Sequence, residues 1–221
     1  MLIVTEEWKT AHPGACIGLM ILGDLANPGF DAVLEQRKKE LTVFLKASFP
    51  TKEKLYGYGP LPVYTAYYKQ YKKTYHVLQQ MESVIFKGKQ IPAGAALVEA
   101  MFMAELKTGL LTAGHDLEFI EAPLTLAAAG DEQYTGIRGR EQRTKPGDMV
   151  MRDARGILSS ILGGPDFRTK ITANTKQALF VVYAPPGIRP GTVQQHLDLI
   201  GDNIRTFAPA AAVELQEIYT A

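Results

Sequence analysis

Three side chains and one pair of glycines carry the acid–base chemistry open to this sequence. His115, in the run Leu111 Thr112 Ala113 Gly114 His115 Asp116 Leu117, has a ring that exchanges its proton near neutral pH. Glu99 and Asp166 are carboxylates able to activate a water. Gly163 and Gly164 leave backbone N–H groups uncovered by side chains, the kind of donor that can face a developing oxyanion. Together they are parts that a hydrolytic site would use. Each also has a plainer reading: a turn histidine, a tight glycine turn, and solvated helix charges at Glu99 and Glu105. Six residues apart, those two glutamates face different sides of a helix and are no natural acid–base pair.

A second chemistry is polyanion binding. Between Gln36 and Lys89 stand eleven basic residues against three acidic ones, an excess of eight in a chain whose overall net charge is +1. The same window holds seven of the ten tyrosines. Lysines meet phosphates and bases stack on aromatic rings, so Lys69, Lys72, Lys73, Tyr68 and Tyr71 form a candidate RNA-binding set. The competing reading is structural. Tyr64, Tyr67 or Tyr68, Tyr71 and Tyr75 recur at helical spacing, and such a stripe packs on a core with its hydroxyls at the edge.

Other chemistries lack their signatures. There is no dinucleotide fingerprint and no phosphate loop of the GxxxxGK(S/T) type, so no cofactor is expected. His12, His76, His115 and His196 lack metal-ligand spacing, so no metal is expected, and the lone Cys16 reads as a small core residue. The start has no basic region followed by an apolar run, and no window is long and apolar enough to span a membrane. A cytoplasmic protein without membrane contact is expected.

The elements that must position these residues follow from periodicity and breakers. Leu2 to Val4 and Ala15 to Leu22 read as strands joined by a turn at His12 Pro13 Gly14. Asp31 is placed to cap a helix carrying Val33, Leu34, Leu41, Phe44 and Leu45, which Pro50 ends. A second helix is expected from about Pro92 to Lys107, with Leu97, Met101 and Ala104 inward and Gly109 past its end. Strands are expected at Phe119 and Ile120, Pro123 to Ala128, Met149 to Met151 and Ile157 to Leu162, with an Asp153–Gly156 turn pairing the last two. Ala178 to Tyr183 suits a buried strand. A helix capped at Thr192 follows, and Ala210 to Tyr219 reads as a last short helix. No repeat or low-complexity linker interrupts the chain, so one domain over residues 1–221 is expected.

From Gly114 to Tyr183 the sequence resembles the B3/B4 domain of the phenylalanyl-tRNA synthetase beta chain and its free-standing relatives. The marks are Asp116 Leu117, Gly130 Asp131 Glu132, the run Asp148 to Asp153 with Gly156, then Ile157 to Asp166, Thr172 and Thr175. The best-matched core is 92–185. The resemblance implies an α+β fold in three layers, with a β-sandwich of unusual topology and flanking helices. It implies tRNA, or a ligand derived from it, as partner, and an amino acid as a further ligand. In the synthetase this domain removes wrongly attached tyrosine from tRNA, in a pocket between the helix, the His-containing turn and the glycine loop. Here the matched pocket positions are Gly163, Gly164, Met101, Phe102, Ala113 and Val181. The glycines are kept, while the family's histidine falls on Ala113, its helix Thr and Asn near Met101 and Phe102, and its glutamate on Val181. The resemblance therefore implies an RNA-associated binding domain, with a trans-acting deacylase of mischarged aminoacyl-tRNA and an amino-acid or metabolite binder as alternatives.

Overall fold

The computed structural model describes residues 2–221. The chain opens with β1 (Leu2–Val4), α1 (Glu6–Ala11) and β2 (Cys16–Gly23). The expected simple turn between the strands is thus corrected. Thr5 caps a short helix whose Trp8 is fully buried, and β1 and β2 enter different sheets.

Five helices follow. Asp31 accepts from the Leu34 N–H and starts α2 (Ala32–Ser48), a cap worth ~1 kcal/mol. Its inward stripe is Leu34, Lys38, Leu41 and Leu45; Val33 and Phe44, expected on that side, are about half exposed. Next come α3 (Lys52–Tyr56), α4 (Leu61–Gln70), α5 (His76–Phe86) and α6 (Ala96–Thr108). Gly109 closes α6 at φ 75, where a Cβ would clash. The tyrosine stripe is not one helix: α4 ends at Gln70, and Lys72 turns the chain at φ 55.

Strands fill the rest: β3 (Leu111–Asp116), β4 (Leu124–Ala128), β5 (Gln133–Thr135), β6 (Glu141–Arg143), β7 (Met149–Asp153), β8 (Gly156–Ser160), β9 (Gly164–Pro165) and β10 (Ala178–Ala184). Phe119, expected in a strand with Ile120, instead ends a 3-10 turn over Leu117–Phe119, started where the Asp116 carboxylate accepts from the Glu118 N–H. The expected Asp153 turn is present, with the Arg155 and Gly156 N–H groups donating to Asp153. The chain ends with α7 (Pro190–Arg205) and β11 (Ala212–Thr220). Arg189, followed by Pro190, takes the cap position given to Thr192. The expected terminal helix is corrected to β11, which pairs antiparallel with β2.

The two main sheets run β1-β4-β7-β8-β9 and β11-β2-β10-β3. Strand alternation gives β3 and β10 two distinct faces. On one face Gly18 and Gly114 leave room for α7 and α6: a Cβ on Gly18 would lie 2.5 Å from Val193, and one on Gly114 3.1 Å from the Met101 sulfur. Val193, Leu197, Ile200 and Ile204 dock fully buried there, each contributing roughly 1.5–3 kcal/mol. On the other face Tyr183 donates to the Ser159 carbonyl 3.1 Å away, tying β10 to β8 of the second sheet. Helices, four-stranded sheet and five-stranded sheet thus form the three layers of an α+β fold.

The tyrosines satisfy backbone groups where strands begin and end. Tyr64 donates to the Tyr183 carbonyl and accepts from the Leu111 N–H at 3.1 Å. Tyr67 accepts from the Met149 N–H at 3.1 Å, and Tyr75 donates to the Gly109 carbonyl at 3.0 Å. An unpaired buried backbone group costs about 1–3 kcal/mol, so these hydroxyls fasten the helical part to the sheets.

Candidate functional site

The glycine turn at the end of β8 rests on a buried polar cluster. Asp148 and Ser160 are buried, Ser160 donates to Asp148 Oδ2, and Tyr67 donates to Asp148 Oδ1 at 2.9 Å. Burial pushes the Asp148 carboxyl up to about 6, against the pull of those donors. The Gly163 N–H points into this cluster, 3.0 Å from Ser160 Oγ, so it is not free to face an oxyanion. Gly163 also needs to be small, because a Cβ would fall 2.2 Å from the Tyr134 hydroxyl. Gly164 adopts φ +78 with open space around it, and its carbonyl accepts from Tyr134 at 3.1 Å.

His115 lies between the two sheets and is fully buried. Its Nδ1 is 2.7 Å from Thr169 Oγ1 and its Nε2 3.1 Å from Ser159 Oγ. Thr169 in turn donates to Asp166. The order Ser159, His115, Thr169, Asp166 resembles a nucleophilic relay, yet Ser159 and His115 have no exposed surface through which a substrate could reach them. Burial, reinforced by Arg168, lowers the ring to about 3, so it is neutral at pH 7.

Asp166 borders a cavity of about 350 Å³ lined by Gln133, Tyr134, Arg155, Ile157, Phe167 and Arg168, among others. Burial raises its pKa, opposed by hydrogen bonds from Thr169. Arg168 is held by Asp153 at 2.9 Å and by the Phe119 carbonyl, whereas Arg155 makes only an exposed pair with Glu121 at 3.3 Å. The cavity can therefore offer Arg155 to an anionic group, with Asp166 at its wall. Glu99 belongs elsewhere: it is buried against α2, 2.7 Å from Lys38 Nζ, with the Gly94 N–H as a second donor. Both Glu99 and Glu105 are buried, which corrects their reading as solvated helix charges. His115, Glu99 and Asp166 are thus not gathered into one acid–base center.

The expected pocket residues also separate. Ala113 and Val181 are directly opposed across β3 and β10, on the face turned to the second sheet. Met101 packs on the other face, against Gly114. Phe102 lines a different cleft, with His76, Gln80, Val84, Lys89 and Pro92. Strand alternation therefore keeps Met101 out of any cavity shared with Ala113 and Val181.

Of the RNA-binding set, Lys69 and Lys72 are exposed and Tyr71 is partly exposed beside Gly147. Tyr68 offers no stacking face: it is 2% exposed and its hydroxyl donates to the Ile161 carbonyl. Lys73 reaches the Leu162 carbonyl at 3.0 Å and so braces the glycine turn. Burial lowers its pKa; Asp148 opposes this and nearby Lys145 adds to it. Exposed Lys145 thus lies near Lys73, a residue that a window ending at Lys89 could not include. Cys16 is a buried thiol pushed up to about 11 by burial. Among the described residues no cluster of three metal-ligating side chains occurs, and no helix is long and apolar enough to cross a membrane.

No protein-family model and no curated protein matches the chain. Among solved structures it is similar to an N-terminal fragment of the phenylalanyl-tRNA synthetase beta-subunit from Pyrococcus horikoshii, with a TM-score of 0.52 and 12% identity. The match covers 100% of this chain and 54% of that one, so the chain spans about half the length of that fragment. At that identity the likeness shows a shared fold.

Proposed function

We propose that the chain is an RNA-associated domain of the B3/B4 type, one domain over residues 1–221, that contacts tRNA or a tRNA-derived ligand apart from a synthetase. The observation that carries this reading is the fold likeness to a tRNA-synthetase fragment over the whole chain. The contact side is the end of α4, where exposed Lys69 and Lys72 flank partly exposed Tyr71 in sequence and exposed Lys145 lies near Lys73. Lysines there meet phosphates, and the exposed part of the Tyr71 ring adds a surface for a base. Tyr68 is buried and serves the fold, while exposed Lys73 also braces the glycine turn through the Leu162 carbonyl. The lone buried cysteine suits a reducing, cytoplasmic setting. The test is fluorescence anisotropy with a tRNA transcript at two salt concentrations, in which binding must weaken as salt rises.

The cavity beside Asp166 favors a second reading, binding of an amino acid or similar small anion at Arg155. A thermal-shift screen over amino acids tests it, since a bound ligand raises the midpoint by mass action. Hydrolysis of an aminoacyl ester has less support, because Glu99 lies against α2, away from that cavity, and His115 is fully buried behind Asp166.

A further inference from the structure

On α2, Glu35, Lys39, Thr42 and Lys46 follow one another at i, i+4, i+7 and i+11, so they share one face of the helix. That face borders a cleft of about 320 Å³ whose opposite wall is residues 88–91, between α5 and α6. Four lysines line it, Lys38, Lys39, Lys46 and Lys89, against the single carboxylate of Glu35. Glu35 is engaged already, by Lys38.

Lys38 itself is the built part of this cleft. Its side chain is 6% exposed, and its ammonium gives two of its three N–H donors to Glu35 and Glu99. Glu99 also accepts from the Gly94 N–H, so the buried cluster fixes α2 against the start of α6 and sets the cleft floor. Lys39, Lys46 and Lys89 are exposed and make no ion pair among the described residues. Three like charges held around one concavity repel one another until an anion sits between them.

We propose that this cleft is a binding site for consecutive phosphate groups, separate from the Lys69–Lys72–Lys145 side. Lysine ammoniums are compact point charges suited to phosphate oxygens, and a volume near 320 Å³ takes two or three linked phosphates rather than a lone ion. The same chemistry is presented by an RNA backbone and by a small polyphosphate.

The test titrates the full chain with inorganic tripolyphosphate by calorimetry and with a tRNA transcript by anisotropy. Lys39→Ala/Lys46→Ala/Lys89→Ala is expected to weaken tripolyphosphate at least tenfold with an unchanged thermal midpoint. Lys54→Ala/Arg140→Ala/Lys176→Ala, an equal loss of charge at exposed positions outside the cleft, is expected to stay within twofold. Failure of the wild-type chain to bind tripolyphosphate, or equal weakening by both triple variants, overturns the proposal. If tRNA binding falls together with tripolyphosphate binding in the first variant, the phosphates are those of RNA; if tripolyphosphate binding alone falls, the ligand is a small polyphosphate. A wild-type chain that binds tripolyphosphate and no tRNA supports the cleft and overturns the RNA reading.

Discussion

Lys38 Nζ and Glu99 Oε2 lie 2.7 Å apart, with both side chains less than a tenth exposed, and they join α2 to α6. Removing one member of a buried pair strands the other charge, at a cost of about 3–5 kcal/mol. Lys38→Met is therefore expected to lower the urea midpoint strongly, and Lys38→Met/Glu99→Leu to recover most of the loss. Equal losses in the single and double variants would show that the charge pairing is not what Lys38 supplies.

The two glycines of the β8 turn are kept for different reasons. Gly163 faces the Tyr134 hydroxyl at a distance that leaves no room for a Cβ, so Gly163→Ala is expected to cost about 1–3 kcal/mol. Tyr134→Phe removes the obstructing oxygen, and in its background the alanine should cost less. Gly164→Ala has space but a left-handed backbone, so its cost of roughly 1 kcal/mol arises from the backbone and not from a clash that Tyr134→Phe would relieve. Denaturant unfolding of the three single variants and the two double variants checks both, and no coupling between positions 163 and 134 would contradict the steric account.

Much of the frame was legible in the sequence. Ala178 to Tyr183 announces a buried strand because both faces of β10 are covered, and Asp31, Gly109 and Asp153 mark turns and caps by local chemistry. β11 was not legible. It is an edge strand with neither face fully buried, so Ala212 to Thr220 shows no alternation and its apolar residues mimic a helix. The burial of Glu99 and Glu105 was hidden because their partners, Lys38 and the Thr112 N–H, come from other elements. The candidate pocket positions face different ways for a local reason: Ala113 faces the second sheet while Met101 packs over Gly114 on the other side of β3, and matching positions one by one does not reveal which side each faces.

Stability should respond to pH in two opposing ways. His115 and His196 are held neutral by burial, each near a pKa of about 3 against 6.5 when unfolded. The unfolded chain binds more protons between those values, so their contribution is complete above pH 6.5 and is lost as pH falls toward 3. Glu105, buried and raised to about 8, behaves oppositely: its contribution is complete below about 4.5 and is lost as pH rises through 8.

Glu105→Gln isolates the second effect, since an amide oxygen can still accept from the Thr112 N–H, 2.8 Å away in the wild type. Relative to wild type, the variant is expected to gain stability at pH 9 over pH 5, measured by urea midpoints. An identical difference at both pH values would contradict the buried-acid account.

Under the proposed function, this fold meets RNA through its lysines. Anisotropy of a labeled tRNA transcript, titrated with the full chain at about 50 mM and about 200 mM salt, tests it most directly. The predicted result is binding that weakens steeply with salt. Lys69→Ala/Lys72→Ala/Lys145→Ala should reduce the logarithmic slope by roughly 2, near 0.7–0.9 for each phosphate left without its lysine. Binding no stronger than to an unrelated polyanion of equal charge, or binding indifferent to salt, would contradict the account.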